Sequence, residues 1–85
     1  MLTGIQIADK IEKESFNTQY DSGEVEPSFH GKLVTELYKR GWKEYNSLSR
    51  CKVAYGGENH MEKKGRKIEI ITSSFMGTFT LVNTF

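Results

Sequence analysis

The sequence predicts an α+β domain in which two helices pack on one face of a three-stranded antiparallel β-meander, in the order ααβββ. Three observations support this fold class. Apolar residues recur at helical spacing twice in the first half of the chain, and the second half changes to alternating apolar and polar residues. The length of 85 residues leaves room for one core. We therefore treat residues 1–85 as a single domain.

Local capping signals predict a first helix over about residues 4–14. Thr3 and Gln6 stand in the T-x-x-Q relation of a capping box, in which each side chain accepts a hydrogen bond from a free amide at the helix start. Ile7 and Ile11 then lie on one face, as expected for a helix that buries one side.

A polar, acidic connector at about residues 17–26 is predicted after this helix, because the segment has no helical period and few apolar groups. The second helix should begin at Pro27 or Ser28, since proline is tolerated in the first turn and serine is a good N-cap. An apolar row at i, i+4 spacing follows, formed by Phe29, Leu33 and Leu37.

The end of the second helix has two interpretations. Gly41 can be the left-handed residue that stops the helix after Lys39 and Arg40, whose cations favour the negative end of the helix dipole. Alternatively the helix continues, because Trp42, Tyr45 and Leu48 extend the apolar stripe. We favour the stop at Gly41.

Three strands are predicted from period-two alternation in the second half of the chain. A long hairpin connection, GGENHMEKKGR, joins the first two strands, and a T-S-S turn joins the second to the third. The alternating apolar positions are Cys51, Val53 and Tyr55 in the first strand, Ile68 and Ile70 in the second, and Phe75, Gly77, Phe79 and Leu81 in the third.

The single cysteine, Cys51, limits both chemistry and compartment. It allows neither an internal disulfide nor a thiolate zinc site within one chain, and its use unpaired is typical of a reducing compartment. The N-terminus has no signal-peptide pattern, and no window is as apolar as a membrane span. These observations predict a cytoplasmic protein.

Charge is distributed unevenly along the chain, although the net charge is only +1. Residues 1–30 contain six acidic residues and two lysines, a sum of −4, whereas residues 31–67 contain ten cations and four glutamates, a sum of +6. Such asymmetry indicates an anionic partner for the basic part. The alternative is that the two parts meet in the fold and neutralise each other.

Glycine and histidine spacing excludes two kinds of ligand site. A phosphate-binding P-loop needs G-x4-G-K-[ST] between a strand and a helix, and the glycines Gly57 and Gly65 do not fit it. His30, His60 and Cys51 have none of the spacings that zinc sites use. We therefore predict no metal and no cofactor.

Catalysis is also not predicted. Cys51 lies on the inward side of the alternation, where a cysteine behaves as an inert apolar residue. An acid–base pair of His30 and His60 is conceivable, but nothing in the sequence brings the two together. We expect a protein that is not an enzyme, and the chemical roles of both histidines stay open.

Nucleic-acid contact has the strongest positive signal. Cations cluster at the end of the hairpin and around a tryptophan, and cations neutralise phosphates while exposed aromatics stack on unpaired bases. Trp42, Tyr45 and Tyr55 are the candidates for stacking. The candidate residues for binding nucleic acid or another partner are Lys39, Arg40, Trp42, Lys43, Arg50, Lys52, Lys63, Lys64, Arg66 and Lys67.

Two functions follow from these patterns. The first is a small regulatory protein that acts by docking on a protein or nucleoprotein target, because the chain is compact and has no catalytic constellation. Inhibitors, antitoxins and accessory proteins of phages or other mobile elements share this size and style. The alternative is an RNA- or DNA-binding protein that uses the basic hairpin and the neighbouring aromatics. Unprotected sheet edges make a homodimer a further expectation.

Overall fold

The computed structural model describes residues 1–45, 50–52, 56–74 and 77–85, and for residues 50–52 and 56 it describes the backbone alone. Within them the chain forms two α-helices, a short 3₁₀ turn at Ser22–Glu24 and six strands. The elements in chain order are α1 (Gly4–Lys13), β1 (Asn17–Asp21), α2 (Phe29–Lys39), β2 (Lys43–Glu44), β3 (Arg50–Lys52), β4 (Gly56–Lys63), β5 (Arg66–Ser73) and β6 (Phe79–Thr84).

All strands join one antiparallel sheet in the order β1-β6-β5-β4-β2. Strand β3 also pairs with β4. β2 lies opposite Met61 and Glu62, whereas β3 lies opposite residues 56–58, so both short strands lie along the same edge of β4. The sheet is therefore five strands wide, and one of its edges is an interrupted strand.

The predicted three-stranded meander is wrong, although the α+β class is correct. Two segments that we read as connections are strands: residues 17–21 of the acidic connector form β1, and most of the long hairpin connection forms β4. β1 is an edge strand in which Tyr20 alone is buried. β4 has poor strand formers such as glycine, asparagine and glutamate, so its pairing on both sides, rather than its propensity, makes it a strand.

The hydrophobic core lies between the helices and one face of the sheet. The strand register places Met61, Ile68, Ile70 and Val82 on the helix-facing side of the sheet, and all four are fully buried. The buried helix residues that face them are Ile7, Ala8, Ile11, Phe29, Leu33 and Leu37. The prediction that both helices cover the same face of the sheet is consistent with this single core.

The start of α1 and the end of α2 that capping chemistry predicted are confirmed, but the predicted start of α2 at Pro27 or Ser28 is wrong, because α2 begins at Phe29 and the Ser28 side chain makes no cap. The capping box of α1 is present, with Gln6 and Thr3 exchanging hydrogen bonds between side chain and backbone. α2 ends before Gly41, which has a φ of +96°. The Trp42 amide donates to the Leu37 carbonyl at 3.0 Å and the Gly41 amide donates to the Tyr38 carbonyl at 3.1 Å, which together form a Schellman motif.

A two-residue turn at Lys64 and Gly65 connects β4 to β5, and both residues have positive φ, 51° and 81°. Positive φ at both central positions is the type I′ geometry that matches strand twist. β5 continues through Thr72 and Ser73, so the predicted T-S-S turn begins too early. The predicted positions Leu48, Val53, Tyr55 and Phe75 lie outside the described residues. No helix among the described residues is long and apolar enough to cross a membrane.

Candidate functional site

A groove at one end of the molecule brings together cations from three parts of the chain. The Schellman motif places Arg40 and Gly41 at the end of α2, and the pairing of β2 with β4 places Lys43 beside Glu62. We call this groove, of about 590 Å³, the basic groove. Its lining residues are Arg40, Gly41, Lys43, Glu62, Lys63 and Lys64.

The cations of the basic groove fall into two kinds. Arg40 donates to Asp9 at 2.7 Å and to Glu36 at 3.0 Å, and Lys63 donates to Glu12 at 2.9 Å. These two cations are held in place by carboxylates. Lys43 and Lys64 are exposed, and among the described residues neither has a carboxylate partner.

Glu12 is the carboxylate that holds Lys63 in place at the basic groove. Its carboxylate accepts hydrogen bonds from Lys63 and from the Trp42 indole N–H, the latter at 3.1 Å. Partial burial raises the pKa of Glu12, but the two hydrogen bonds and the nearby charges of Lys63 and Arg40 lower it more, so the net pKa lies below its ordinary value. Glu12 therefore stays ionised and orients Lys63 at neutral pH.

Trp42 is buried, whereas stacking on a nucleic-acid base would require an exposed ring. Its side chain is 1% exposed and belongs to the core. The guanidinium of Arg66 and the ammonium of Lys63 lie 5.8 and 6.0 Å from its ring centroid. Trp42 therefore packs against the side chains of Arg66 and Lys63, and its buried ring is not available for stacking on a nucleic-acid base.

The other predicted binding residues are spread around this end of the sheet. Lys67 lies on the outer face, with its ammonium 4.9 Å from the Tyr45 ring. Lys39 is exposed and lines a separate groove between the two helices. Arg50 and Lys52 belong to β3, and their side chains lie outside what the structure describes, as does Tyr55.

A chain of hydrogen-bonded polar groups crosses the helix-facing side of the sheet, and sequence reasoning did not predict it. Asn59 Nδ2 donates to Glu44 Oε1 at 2.6 Å, and Asn59 Oδ1 lies 2.6 Å from His30 Nε2. His30 Nδ1 lies 2.7 Å from Thr72 Oγ1, which in turn lies 2.8 Å from Thr80 Oγ1. We call these five residues the polar chain.

The carboxylate at the end of the polar chain sets the direction of each hydrogen bond. Because ionised Glu44 can only accept, the Asn59 amide nitrogen faces it and the Asn59 oxygen faces His30. His30 must then carry its proton on Nε2. Its unprotonated Nδ1 accepts a hydrogen bond from the Thr72 hydroxyl, and the Thr72 oxygen accepts a hydrogen bond from the Thr80 hydroxyl. The polar chain thus holds a neutral histidine in one tautomer.

The polar chain should make the stability of the protein depend on pH. Burial lowers the pKa of His30, although its hydrogen bond to Asn59 partly raises it. Because the unfolded histidine takes up a proton first, the free energy of unfolding should decrease as pH falls from the ordinary value of 6.5 through the lowered folded pKa. Urea denaturation at several pH values measures this decrease.

His30→Gln is the variant that isolates this contribution. The difference in unfolding free energy between the wild type and His30→Gln should change as pH falls from 6.5 to about 5.5, an interval that lies above the ordinary glutamate pKa of 4.5. All other side chains are the same in both proteins, so the difference isolates His30. A difference that stays constant across this interval would show that His30 has the same pKa in the folded and unfolded states.

His60 lies on the opposite face of the sheet from His30. Its Nε2 lies 2.6 Å from a Glu58 carboxylate oxygen and its Nδ1 3.5 Å from Glu69. The two imidazoles are separated by the sheet, so they do not form the acid–base pair that the sequence left open. In the described part of the chain, no three histidine, cysteine, aspartate or glutamate side chains are grouped so that they could hold a metal ion.

Comparison with known proteins does not assign this arrangement: no family model matches the chain, and no curated protein or solved structure is significantly similar to it. The function has to be argued from the residues themselves.

Proposed function

We propose that this chain is a small cytoplasmic binding protein that docks on nucleic acid, or on the nucleic-acid part of a nucleoprotein, through the basic groove. One observation supports the proposal most strongly. Lys43 and Lys64 are distant in sequence, yet they line the same groove, both exposed and both without a carboxylate partner among the described residues.

The mode of contact follows from the side chains. Free ammonium groups gain most from a phosphate, because binding releases the counterions condensed on the nucleic acid. Arg40 and Lys63 are already oriented by acidic neighbours, so they lose little side-chain entropy on binding. Trp42 is buried and Lys67 covers Tyr45 on the other face, so the groove is suited to phosphates rather than to stacking on bases.

A protein that only binds phosphates can still regulate other proteins, without catalysing a reaction. Phosphate contacts position a protein but carry no sequence information directly. A small domain bound in this way blocks other proteins that need the same phosphates. Such competition is the way in which a regulatory protein of the inhibitor or accessory type, expected from the small size and the lack of a catalytic constellation, would act.

Replacing both free lysines tests the proposal. Fluorescence anisotropy with labelled single- and double-stranded RNA and DNA, at several salt concentrations, gives the slope of log K against log [salt]. The wild type should bind with a steep negative slope, and Lys43→Gln/Lys64→Gln should reduce its magnitude by about 1 per lysine. Both side chains are exposed, so the unfolding free energy should stay nearly unchanged.

Lys32→Gln is the matched control. Lys32 is also an exposed lysine, but it lies near the other end of α2 and pairs with Glu26 at 3.2 Å. Its replacement should leave the salt slope at the wild-type value. Absence of binding to every oligonucleotide at low salt would reject the nucleic-acid proposal. Pull-downs with and without nuclease would then show whether an acidic protein surface is the partner of the same groove.

A further inference from the structure

Another cavity lies at the N-terminal end of α2, away from the basic groove at its C-terminal end. It has a volume of about 240 Å³. Three of its lining residues, His30, Thr72 and Thr80, belong to the polar chain. Val25, Pro27 and Phe29 contribute apolar surface. The polar chain thus ends in a cavity that a small molecule can enter.

The geometry points to an acyl-transfer site in this cavity, in which Thr72 is the nucleophile, His30 is the general base and the substrate is a small uncharged acyl ester. The distance of 2.7 Å between Thr72 Oγ1 and His30 Nδ1 is short enough for direct proton transfer. Thr72 is half-buried and lines the cavity, so its hydroxyl can meet a substrate there.

The base is oriented as nucleophilic catalysis requires. An activated hydroxyl needs a base within hydrogen-bonding distance and a third group that holds the base. Asn59, which is 5% exposed, accepts from His30 Nε2–H at 2.6 Å and is itself held by Glu44. Asn59 and Glu44 are positioning residues, since they act on the reaction only through the tautomer and orientation of His30. Burial keeps the imidazole neutral, which is the form that accepts a proton.

The walls of the cavity define the substrate class. Its volume holds an acyl group of a few carbon atoms, and Val25, Pro27 and Phe29 favour an apolar one. Among the described lining residues Glu26 is the only carboxylate, and it already accepts from the Gly4 amide and from Lys32, so the wall offers no free charge to an ionic substrate. Ser28 makes no side-chain cap on α2, so its hydroxyl does not occupy the first-turn amides, and those of Phe29 and His30 are the donors that we assign to a developing oxyanion.

The proposed reaction has two balanced halves. Thr72 Oγ1 attacks the ester carbonyl carbon while its proton moves to His30 Nδ1. The tetrahedral intermediate collapses, and the alkoxide leaving group takes that proton and departs as an alcohol, which leaves an acyl ester on Thr72. Water then gives a proton to His30 and attacks the acyl carbonyl, and the proton returns to Thr72 Oγ1 as the carboxylic acid leaves.

Acetylation by p-nitrophenyl acetate tests the proposal on the full chain. The wild type should release a burst of p-nitrophenolate, and rapid acid quenching followed by peptide mass spectrometry should find one acetyl group on Thr72. That acetyl group should be removed by alkaline hydroxylamine, which cleaves esters but leaves acetyl-lysine intact. Absence of acetyl-Thr72, or acetylation confined to lysines and the cysteine, would overturn the proposal.

Variants separate the roles. Thr72→Ser should keep the burst, whereas Thr72→Val should abolish it, and His30→Gln should slow acylation by about 10²–10⁴-fold. Thr18→Val is the control, since Thr18 is a half-buried threonine of β1 outside the cavity and should react as the wild type does. Acylation of Thr72 at the wild-type rate in folded His30→Gln would remove His30 from the reaction.

The positioning role of Asn59 has its own signature. The ¹⁵N chemical shifts of the His30 ring should show the Nε2–H tautomer in the wild type and a mixture of tautomers in Asn59→Leu. Asn59→Asp/Glu44→Gln keeps an acceptor opposite Nε2 and a donor and acceptor pair between positions 59 and 44, so it should restore the single tautomer and the acylation rate. A wild-type tautomer in folded Asn59→Leu would show that Asn59 does not position the base.

Discussion

Replacement of Trp42 by alanine should lower the free energy of unfolding by about 3–5 kcal/mol, as expected when a buried aromatic residue is deleted from a core. The Trp42 side chain is 1% exposed and is among the largest fully buried groups of the domain. Its amide closes the Schellman motif of α2, and its indole N–H donates to Glu12. The substitution therefore removes packing at the junction of α2, β2 and the basic groove.

Urea denaturation measures this effect, with Phe85→Ala as the control. Phe85 is an aromatic residue that is 60% exposed, so its loss should change the stability by no more than about 0.5 kcal/mol. Trp42 is the only tryptophan, so fluorescence reports directly on its environment. A red-shifted, readily quenched emission, or wild-type stability of Trp42→Ala with loss of oligonucleotide binding, would instead show an exposed stacking residue.

Replacement of Gly4 by alanine should destabilise the protein by about 1–3 kcal/mol, the usual cost of overpacking. A Cβ atom at Gly4 would lie 2.7 Å from the Leu33 amide nitrogen and 2.9 Å from the Lys32 carbonyl carbon. Both are backbone atoms of α2, so no side-chain rotation can relieve the contact. The two helices would have to move apart where Gly4 of α1 meets Leu33 of α2, and this movement would disturb the packing of the fully buried Leu33.

The matched control is the same substitution at Gly31. This glycine lies within α2, and a Cβ atom added there would have no neighbour within 4 Å. Gly31→Ala should stabilise the protein by about 0.5–1 kcal/mol, because alanine loses less backbone entropy in a helix. The two substitutions should thus change the urea midpoint in opposite directions. Equal destabilisation by both would contradict the close approach of the helices at Gly4.

The sequence predicted best those features that depend on neighbouring residues. Thr3 and Gln6 are three positions apart, and the Schellman motif at Gly41 joins residues within one turn of α2. Such interactions join residues that are close along the chain, so they do not require distant segments to come together. The clustering of cations beside the β4–β5 turn was also visible, because Lys63 and Lys64 are adjacent.

Strands β1 and β4 were missed because their partners are distant. β1 pairs with β6, which is more than fifty residues away along the chain, and a mostly polar edge strand needs only Tyr20 to reach the core. β4 carries Gly56 and Gly57, which are typical of a turn. It becomes a strand because β5 lies on one side of it, and β2 and β3 lie on the other.

The candidate sites divide in the same way. The sequence by itself determined the presence of two helices, the capping box of α1, the end of α2 and the excess of cations in the second half of the chain, because these depend on residue type and short spacing. Only the tertiary structure decided that Trp42 is buried and that Lys43 and Lys64 share a groove. It also decided that the His30 ring is hydrogen-bonded to Thr72, which is 42 residues away along the chain, and to Asn59, which is 29 residues away. Contacts between distant segments form only when the whole sheet assembles, so they cannot be predicted from patterns of neighbouring residues in the sequence.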